Sequence, residues 1–262
     1  MITSAHNKKI QELRALQRSS RERRDAGVFI VEGVRLLEEA LSAGWQAQAV
    51  FYTENLEPRG RRLLEGFAAR GAALQPVLDS VLAAASDTET PQGVLAVLQM
   101  QTLPYPQKLN FVLIPDQVRD PGNLGTMLRT AAAAGVQAVF LPAGVVDPFS
   151  PKVLRAGMGA HFRLPLLLLA WNEIQAEAVR HGLRLYLAET GSGVDYSLAD
   201  FVSPLALIVG GEAEGAGVEA QALADQRVFI PMPGGSESLN AAVAAGVLLF
   251  EVVRQRGLVS AR

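Results

Sequence analysis

Three short stretches of the chain combine glycine with side chains able to bind or to hold charge. The first runs Asp116-Gln-Val-Arg-Asp-Pro-Gly-Asn-Leu-Gly-Thr-Met-Leu-Arg129. The second is Gly210-Gly-Glu-Ala-Glu-Gly-Ala-Gly217 and the third Pro231-Met-Pro-Gly-Gly-Ser-Glu-Ser-Leu-Asn240. Glycine lets the backbone approach a ligand closely. Asn, Ser and Glu offer hydrogen bonds, and Arg129 is a permanent cation suited to an anion. None of the three stretches holds a cysteine or a histidine. The chemistry they could support is therefore positioning and charge stabilisation, not thiol or imidazole catalysis.

Each stretch follows an apolar run: Phe111–Pro115, Leu205–Val209 and Val228–Ile230. Runs of this kind, together with Ala138–Leu141, His161–Leu169 and Leu183–Ala188, read as strands of a parallel sheet buried on both faces. Helices are expected after Asn123, after Pro151, across Asn172–His181, and from Leu239 to about Arg256. Ligands of open parallel sheets bind beyond the carboxyl ends of the strands, so three such ends predict one shared pocket. Tight turns alone would also use these glycines, but they would not gather polar residues at the same ends.

The first hundred residues repeat the α/β alternation. Val28–Val31, Ala47–Tyr52, Ala72–Val77 and Val94–Leu98 read as strands. Val34–Ala43 and Arg59–Arg70 read as helices closed by Gly44 and Gly71, with a short helix after Asp79. Two prolines among polar residues in Gln99–Lys108 read as a linker. The expected domains are 1–100 and 109–262, joined by 101–108.

The 262 residues carry a net charge of −2, with 49% hydrophobic and 19% charged residues, which describes a globular chain and not a disordered one. Cysteine is absent, which removes disulfides and zinc–cysteine sites, and the three histidines lack metal-ligand spacing, so no metal is expected. The basic N-terminus has no apolar run after it, and the runs Leu164–Trp171 and Leu239–Phe250 are too short to span a bilayer. These features read as a soluble, cytoplasmic protein without membrane partners. Residues 1–24 hold seven basic and two acidic side chains, a local excess of +5 that leaves −7 elsewhere. Ile10, Leu13 and Leu16 give that segment a helical stripe, and Arg14, Arg18 and Arg21 then share a neighbouring face. Such a face could lie on a phosphate backbone or simply face water.

Gly215-Ala-Gly-Val-Glu-Ala220 fits a loose dinucleotide fingerprint. Five residues separate it from its strand, however, and no acidic residue ends the next strand, which argues against a nicotinamide site. There is no Walker sequence and no nucleophilic serine beside a histidine.

Taken together, the three junctions resemble the three motifs of SpoU-type (TrmH-like) RNA 2′-O-ribose methyltransferases of the SPOUT superfamily. The resemblance is carried by Asp120-Pro-Gly-Asn123-Leu-Gly125 with Arg129, by Ile208-Val-Gly-Gly-Glu212 with Gly215, and by Ile230-Pro-Met with Ser238-Leu-Asn240 and Ala244-Ala-Gly246. Phe29-Ile-Val-Glu-Gly33 and Thr88-Glu-Thr-Pro-Gln-Gly93 are similar to the substrate-binding domain of two-domain members, a small αβα fold like certain ribosomal proteins. Gly211 stands where many members have asparagine or another small residue, and Ala213 where many have glycine.

The resemblance implies an α/β fold whose C-terminal parallel sheet carries a deep trefoil knot, and a homodimer. It implies S-adenosylmethionine held by Gly210, Gly211, Ile230, Met232 and Leu239. It also implies methyl transfer to a 2′-hydroxyl of RNA, with ribosomal RNA favoured by the extra domain. Arg129 is then the central catalytic residue, either stabilising oxyanion charge or accepting the proton. Asn123, Glu212, Ser238 and Asn240 complete the site, and Arg14, Arg18 and Arg21 are the expected RNA contacts. Transfer RNA as substrate, a non-catalytic RNA-binding or ribosome-assembly factor, and a small-molecule enzyme using a nucleotide cofactor are the competing readings.

Overall fold

A computed structural model describes residues 1–211 and 215–260, the last three of these as backbone only. The chain forms two compact units, Met1–Gln101 with Phe149–Phe162, and Thr102–Pro148 with Arg163 onward.

The first unit begins with α1 (Lys8–Arg18) and α2 (Ser20–Ala26) and continues with β1 (Val28–Glu32), α3 (Val34–Ser42) and β2 (Ala47–Tyr52). It is completed by α4 (Pro58–Ala68), β3 (Ala73–Pro76), α5 (Asp79–Ala85) and β4 (Val94–Gln99). The strands form one sheet in the order β1-β4-β2-β3, with β2 and β3 parallel and the other pairs antiparallel. One face is sealed by Ile10, Leu13, Val81 and Leu82 against Ile30, Phe51 and Leu95. These elements match the expected αβα reading closely.

The single N-terminal helix is corrected by the structure. Ser19 is extended (φ −116°, ψ 117°) and its side chain accepts from Glu22 N, starting a second helix. Buried Arg23 folds back and donates to the carbonyls of Leu16 and Gln17, which would otherwise be orphaned at the end of α1. Arg14, Arg18 and Arg21 therefore do not share one helical face. Arg21 lies on α2 and pairs with Asp25.

The second unit is built on β5 (Phe111–Asp116), α6 (Pro121–Ala134) and β6 (Ala138–Leu141). The next helix, α7 (Pro151–Gly157), and the 3₁₀ turn Ala160–Phe162 belong to the first unit. The chain then supplies β7 (Leu166–Leu168), α8 (Trp171–His181), β8 (Arg184–Ala188), β9 (Val194–Asp195) and β10 (Leu205–Gly210). It ends with α9 (Val218–Leu223), β11 (Gln226–Phe229) and α10 (Ala241–Ser260). All seven strands pair in parallel, in the order β7-β6-β5-β10-β8-β11-β9.

Two expectations change here. The strand expected over 161–169 is reduced to Leu166–Leu168, because the chain turns at Ala160–Phe162 and Pro165 has no N–H to give a ladder. Residues 149–162, expected in the second domain, pack with the first unit. The Phe149 ring lies 4.9 Å from that of Phe29, the Phe162 ring 5.4 Å from that of Trp45, and Trp45 Nε1 donates to Phe162 O. Burying that aromatic surface outweighs sequence proximity.

The residues filling the second unit explain its sheet. Every residue of β5 is buried, and Val112, Ile114, Phe140, Leu187 and Ile208 form one core with Ile174 and Ala178 of α8. On the opposite face α10 packs on α6 and β10. Gly246 lies at this contact, where an added Cβ would meet Thr130 Cγ2 at 3.7 Å, an ordinary van der Waals distance.

Candidate active site

The carboxyl ends of β8, β10 and β11 converge on a cavity of about 780 Å³. Gly210 and Gly211 close one side, and Ile230, Met232, Ser238, Leu239 and Asn240 another. Every residue expected to hold a cofactor thus lines one cavity. Glu189 and Thr190, just past β8, line it too and were not singled out in the sequence, where only their place beyond a strand end marks them.

Two glycines set the shape. A Cβ on Gly210 would lie 2.6 Å from Ala216 N, and one on Gly211 would lie 2.3 Å from Gln117 O. Backbone, unlike a flexible side chain, cannot yield at these distances. Gly211 is therefore required by the contact between the first and second stretches, and Gln117 (φ 54°) presents its carbonyl there from a left-handed conformation. Gly215 N returns to Gly211 O at 3.2 Å, closing the loop. Glu212 and Ala213 lie outside the described residues.

The first and third stretches meet through their asparagines. Asp120 caps α6, its Oδ1 accepting from Asn123 N at 2.7 Å, with Pro121 in the first turn. Asn240 Oδ1 accepts from the N–H groups of Ala242 and Val243 at the start of α10. Its Nδ2 donates to Asn123 Oδ1 at 3.0 Å. Two helix starts distant in sequence are locked together beside the cavity. Ser238 lines the cavity wall, and its carbonyl accepts from Ser236 Oγ. Arg129 stands on the third turn of α6, exposed, and forms no ion pair among the described residues. The cavity wall itself does not include it.

One buried carboxylate escaped sequence reasoning. Asp116, fully buried at the end of β5, accepts from Gly217 N at 2.6 Å through Oδ2, while its buried Oδ1 has no partner among the described residues. Burial pushes its pKa up, and nearby Glu219 pushes the same way. Its signal was an acid ending an otherwise apolar strand. Its partner Gly217 is the N-cap residue of α9, inside the fingerprint-like Gly215–Ala220 segment.

The cavity lining is chemically selective. It holds Glu189 and Glu237 and no lysine or arginine among the described residues. Val228, Ile230, Leu239 and Leu248 supply apolar wall. Such a site suits a neutral base on a compact cationic group and disfavours a pyrophosphate.

Residues 110–250 match the model of the SpoU rRNA methylase family. The chain belongs to that family. Residues 7–96 also match the MRM3-like substrate-binding domain. Among similar proteins is the 23S rRNA (guanosine(2553)-2′-O)-methyltransferase RlmP of Bacillus subtilis, 36% identical over 96% of this chain and 98% of that protein. An AdoMet-bound rRNA methyltransferase from Sinorhizobium meliloti superposes with a TM-score of 0.87, at 31% identity over 97% of each chain. The SpoU methyltransferase AviRb of Streptomyces viridochromogenes, in complex with AdoMet, gives 0.86 at 30% identity over 96% of this chain and all of that one. The three glycine-rich junctions all lie within residues 110–250, after the segment matched by the substrate-binding domain.

Proposed function

We propose that the chain is a methyltransferase that uses S-adenosylmethionine to modify a ribose 2′-hydroxyl of ribosomal RNA. The observation that carries the reading is the cation-free, glycine-walled cavity joined to α6 by the Asn123–Asn240 hydrogen bond. Residues of that cavity fit the cofactor: Ile230 and Leu239 for its base, backbone at Gly210 and Gly211 for close approach, and Glu237 as compensating charge, Glu189 being paired with Arg227. When bound, the cofactor supplies a methyl carbon activated by a cationic sulfonium.

This chain's residues must do the rest. The 2′-hydroxyl is a poor nucleophile until its proton leaves. Arg129, a permanently charged guanidinium, is a poor general base. It steadies the negative charge growing on the 2′-oxygen and grips the neighbouring phosphate. Asn123 and Asn240 hold the start of α6 and the cavity wall in register, so that sugar and donor meet in line. Ser238 offers a hydrogen bond at the rim, and Glu212 orients the substrate or Arg129.

The working form is a homodimer. Apolar residues run around the whole circumference of α10. Ala245, Leu248 and Val252 are buried within the chain, while Val243, Phe250 and Val253 stay 52%, 50% and 38% exposed on the other side. A helix apolar all round belongs in an interior, which a second copy would provide. The passage of the chain from β11, beyond β8, back to β10 through α10 is read as a trefoil knot. The unit of Met1–Gln101 with Phe149–Phe162 captures RNA and the unit of Thr102–Pro148 with Arg163 onward carries out transfer, with the basic helices α1 and α2 contributing Arg14, Arg18 and Arg21 to the RNA face. Among the described residues no helix is long and apolar enough to cross a membrane, and no group of residues could hold a metal. A ribosomal RNA substrate makes the cytoplasm the compartment of the reaction.

The test is a map of 2′-O-methyl positions in total RNA from cells with and without the protein. Loss of one ribosomal position supports the reading; loss of a transfer RNA position, or of none, overturns it.

A further inference from the structure

The two N-terminal sequences Phe29–Gly33 and Thr88–Gly93 have no part in methyl transfer, yet the fold brings them together. Gln92 Oε1 accepts from Val34 N at 2.8 Å, closing the start of α3, and Thr53 N donates to Gly93 O at 2.9 Å. Both glycines have positive φ (95° and 74°). A Cβ on Gly33 would sit 3.0 Å from Gln92 Oε1, and one on Gly93 would sit 2.6 Å from Thr53 Oγ1. Glu32 clamps the loop between α5 and β4, accepting from the Ser86 and Thr88 hydroxyls and from Asp87 N. Glu32 is thus a structural anchor.

These contacts frame a cavity of about 660 Å³ within the first unit. Val34, Leu56, Leu82 and Pro91 give it apolar surface. Its polar equipment is incompletely used. Thr53 is only 6% exposed, and its hydroxyl has no hydrogen bond among the described residues. The Gln92 carboxamide spends its oxygen on α3 and keeps its NH₂ unengaged, and Arg35 has no ion pair, whereas Arg59 is held by Glu38. The Thr53 hydroxyl opens toward the cavity and is not sealed from it, so it can bond to an occupant. The volume lies in the ordinary range for small-ligand sites. Glu57 and Asp79 at the wall disfavour a polyanion but accept bonds from a neutral amino or imino group.

We propose that this cavity receives one unstacked nucleobase of the RNA substrate, with Thr53 and Gln92 reading its edge and Arg35 holding its phosphate. Bases splayed out of single-stranded loops are the part of RNA that carries readable sequence, since the A-form major groove is closed to side chains. The proposal rests on the reading of the chain as an RNA methyltransferase. It adds a second recognition point, belonging to the first unit alone.

The test uses the full-length protein and a ribosomal RNA transcript that it methylates. Three variants are compared: Thr53→Val, which keeps volume and loses the hydroxyl; Gln92→Glu, which keeps the acceptor for Val34 N and loses the NH₂; and Arg35→Gln. Each is expected to weaken RNA binding, read by fluorescence anisotropy, by about tenfold, the size of one lost buried hydrogen bond or ion pair. KM for RNA should rise with kcat nearly unchanged, while S-adenosylmethionine affinity by calorimetry and the melting temperature stay as in wild type. A 4-thiouridine-substituted transcript should cross-link to the peptide carrying Gln92. Should Thr53→Val melt early, the other two variants decide. Wild-type RNA affinity in both of those, with methylation intact, overturns the nucleobase site alone. Failure of the wild-type protein to methylate any ribosomal transcript overturns the functional reading instead.

Discussion

At the scale of single residues, the account turns on side chains that each make two contacts. Asn240 caps α10 and also holds Asn123. Asn240→Ala removes both and should cost about 1 kcal/mol of stability, the usual value of a helix N-cap, along with most of the activity. Asn240→Asp keeps the cap and should recover stability but little turnover. Urea denaturation and a tritium-transfer assay separate the two effects. Asp116 makes a prediction in pH. Its folded-state pKa is raised, so the folded chain holds that proton to higher pH than the unfolded chain does. Its contribution to stability is therefore present in acid and is lost as pH rises through the raised value. Asp116→Asn keeps an acceptor for Gly217 N, so its stability relative to wild type should improve as pH rises above the ordinary carboxylate range and level off beyond the raised value. A difference that is flat with pH would contradict an ionising buried carboxyl. Much at this scale was legible beforehand: Asn123, Ser238 and Asn240 were visible as polar groups beyond apolar runs. The role of Asp116 was hidden, because a partner 101 positions away defines it.

At the scale of elements, the strands and most helices could be read from apolar runs and terminal glycines, because burial on both faces leaves little freedom in such segments. The failures share one cause. Ser19 splits the N-terminal helix because Arg23 supplies its capping interactions, and 160–162 coils because Phe162 seeks Trp45. Tertiary contacts overrode local pattern, so the arginine face expected over 14–21 was drawn on a helix that stops at Arg18. The meeting of the turn after β10 with the turn after β5 was equally invisible. It yields a sharp prediction for Gly211, whose added Cβ would press on Gln117 O. Gly211→Ala should lower stability by roughly 1–3 kcal/mol, as overpacking does, and should weaken S-adenosylmethionine binding measured by calorimetry. Unchanged affinity in a folded variant would show that the turn does not shape the cofactor wall.

At the scale of the whole molecule, the exposed apolar side of α10 is the feature that asks for a partner. Phe250→Arg places a charge on that side without disturbing Leu248 or Leu249, which are buried within the chain. Sedimentation velocity at micromolar concentration should show a dimer for wild type and a monomer for the variant, with loss of turnover. A wild-type monomer would remove the dimer from the account. The central claim is that a single permanent cation on α6 guards the oxygen that receives the methyl group. The most direct measurement is Arg129→Ala assayed twice, for methyl transfer to ribosomal RNA and for S-adenosylmethionine affinity by calorimetry. The account predicts that transfer falls by at least a hundredfold, as when one oxyanion donor is removed, while cofactor affinity is unchanged. Near-normal turnover in that variant would contradict it.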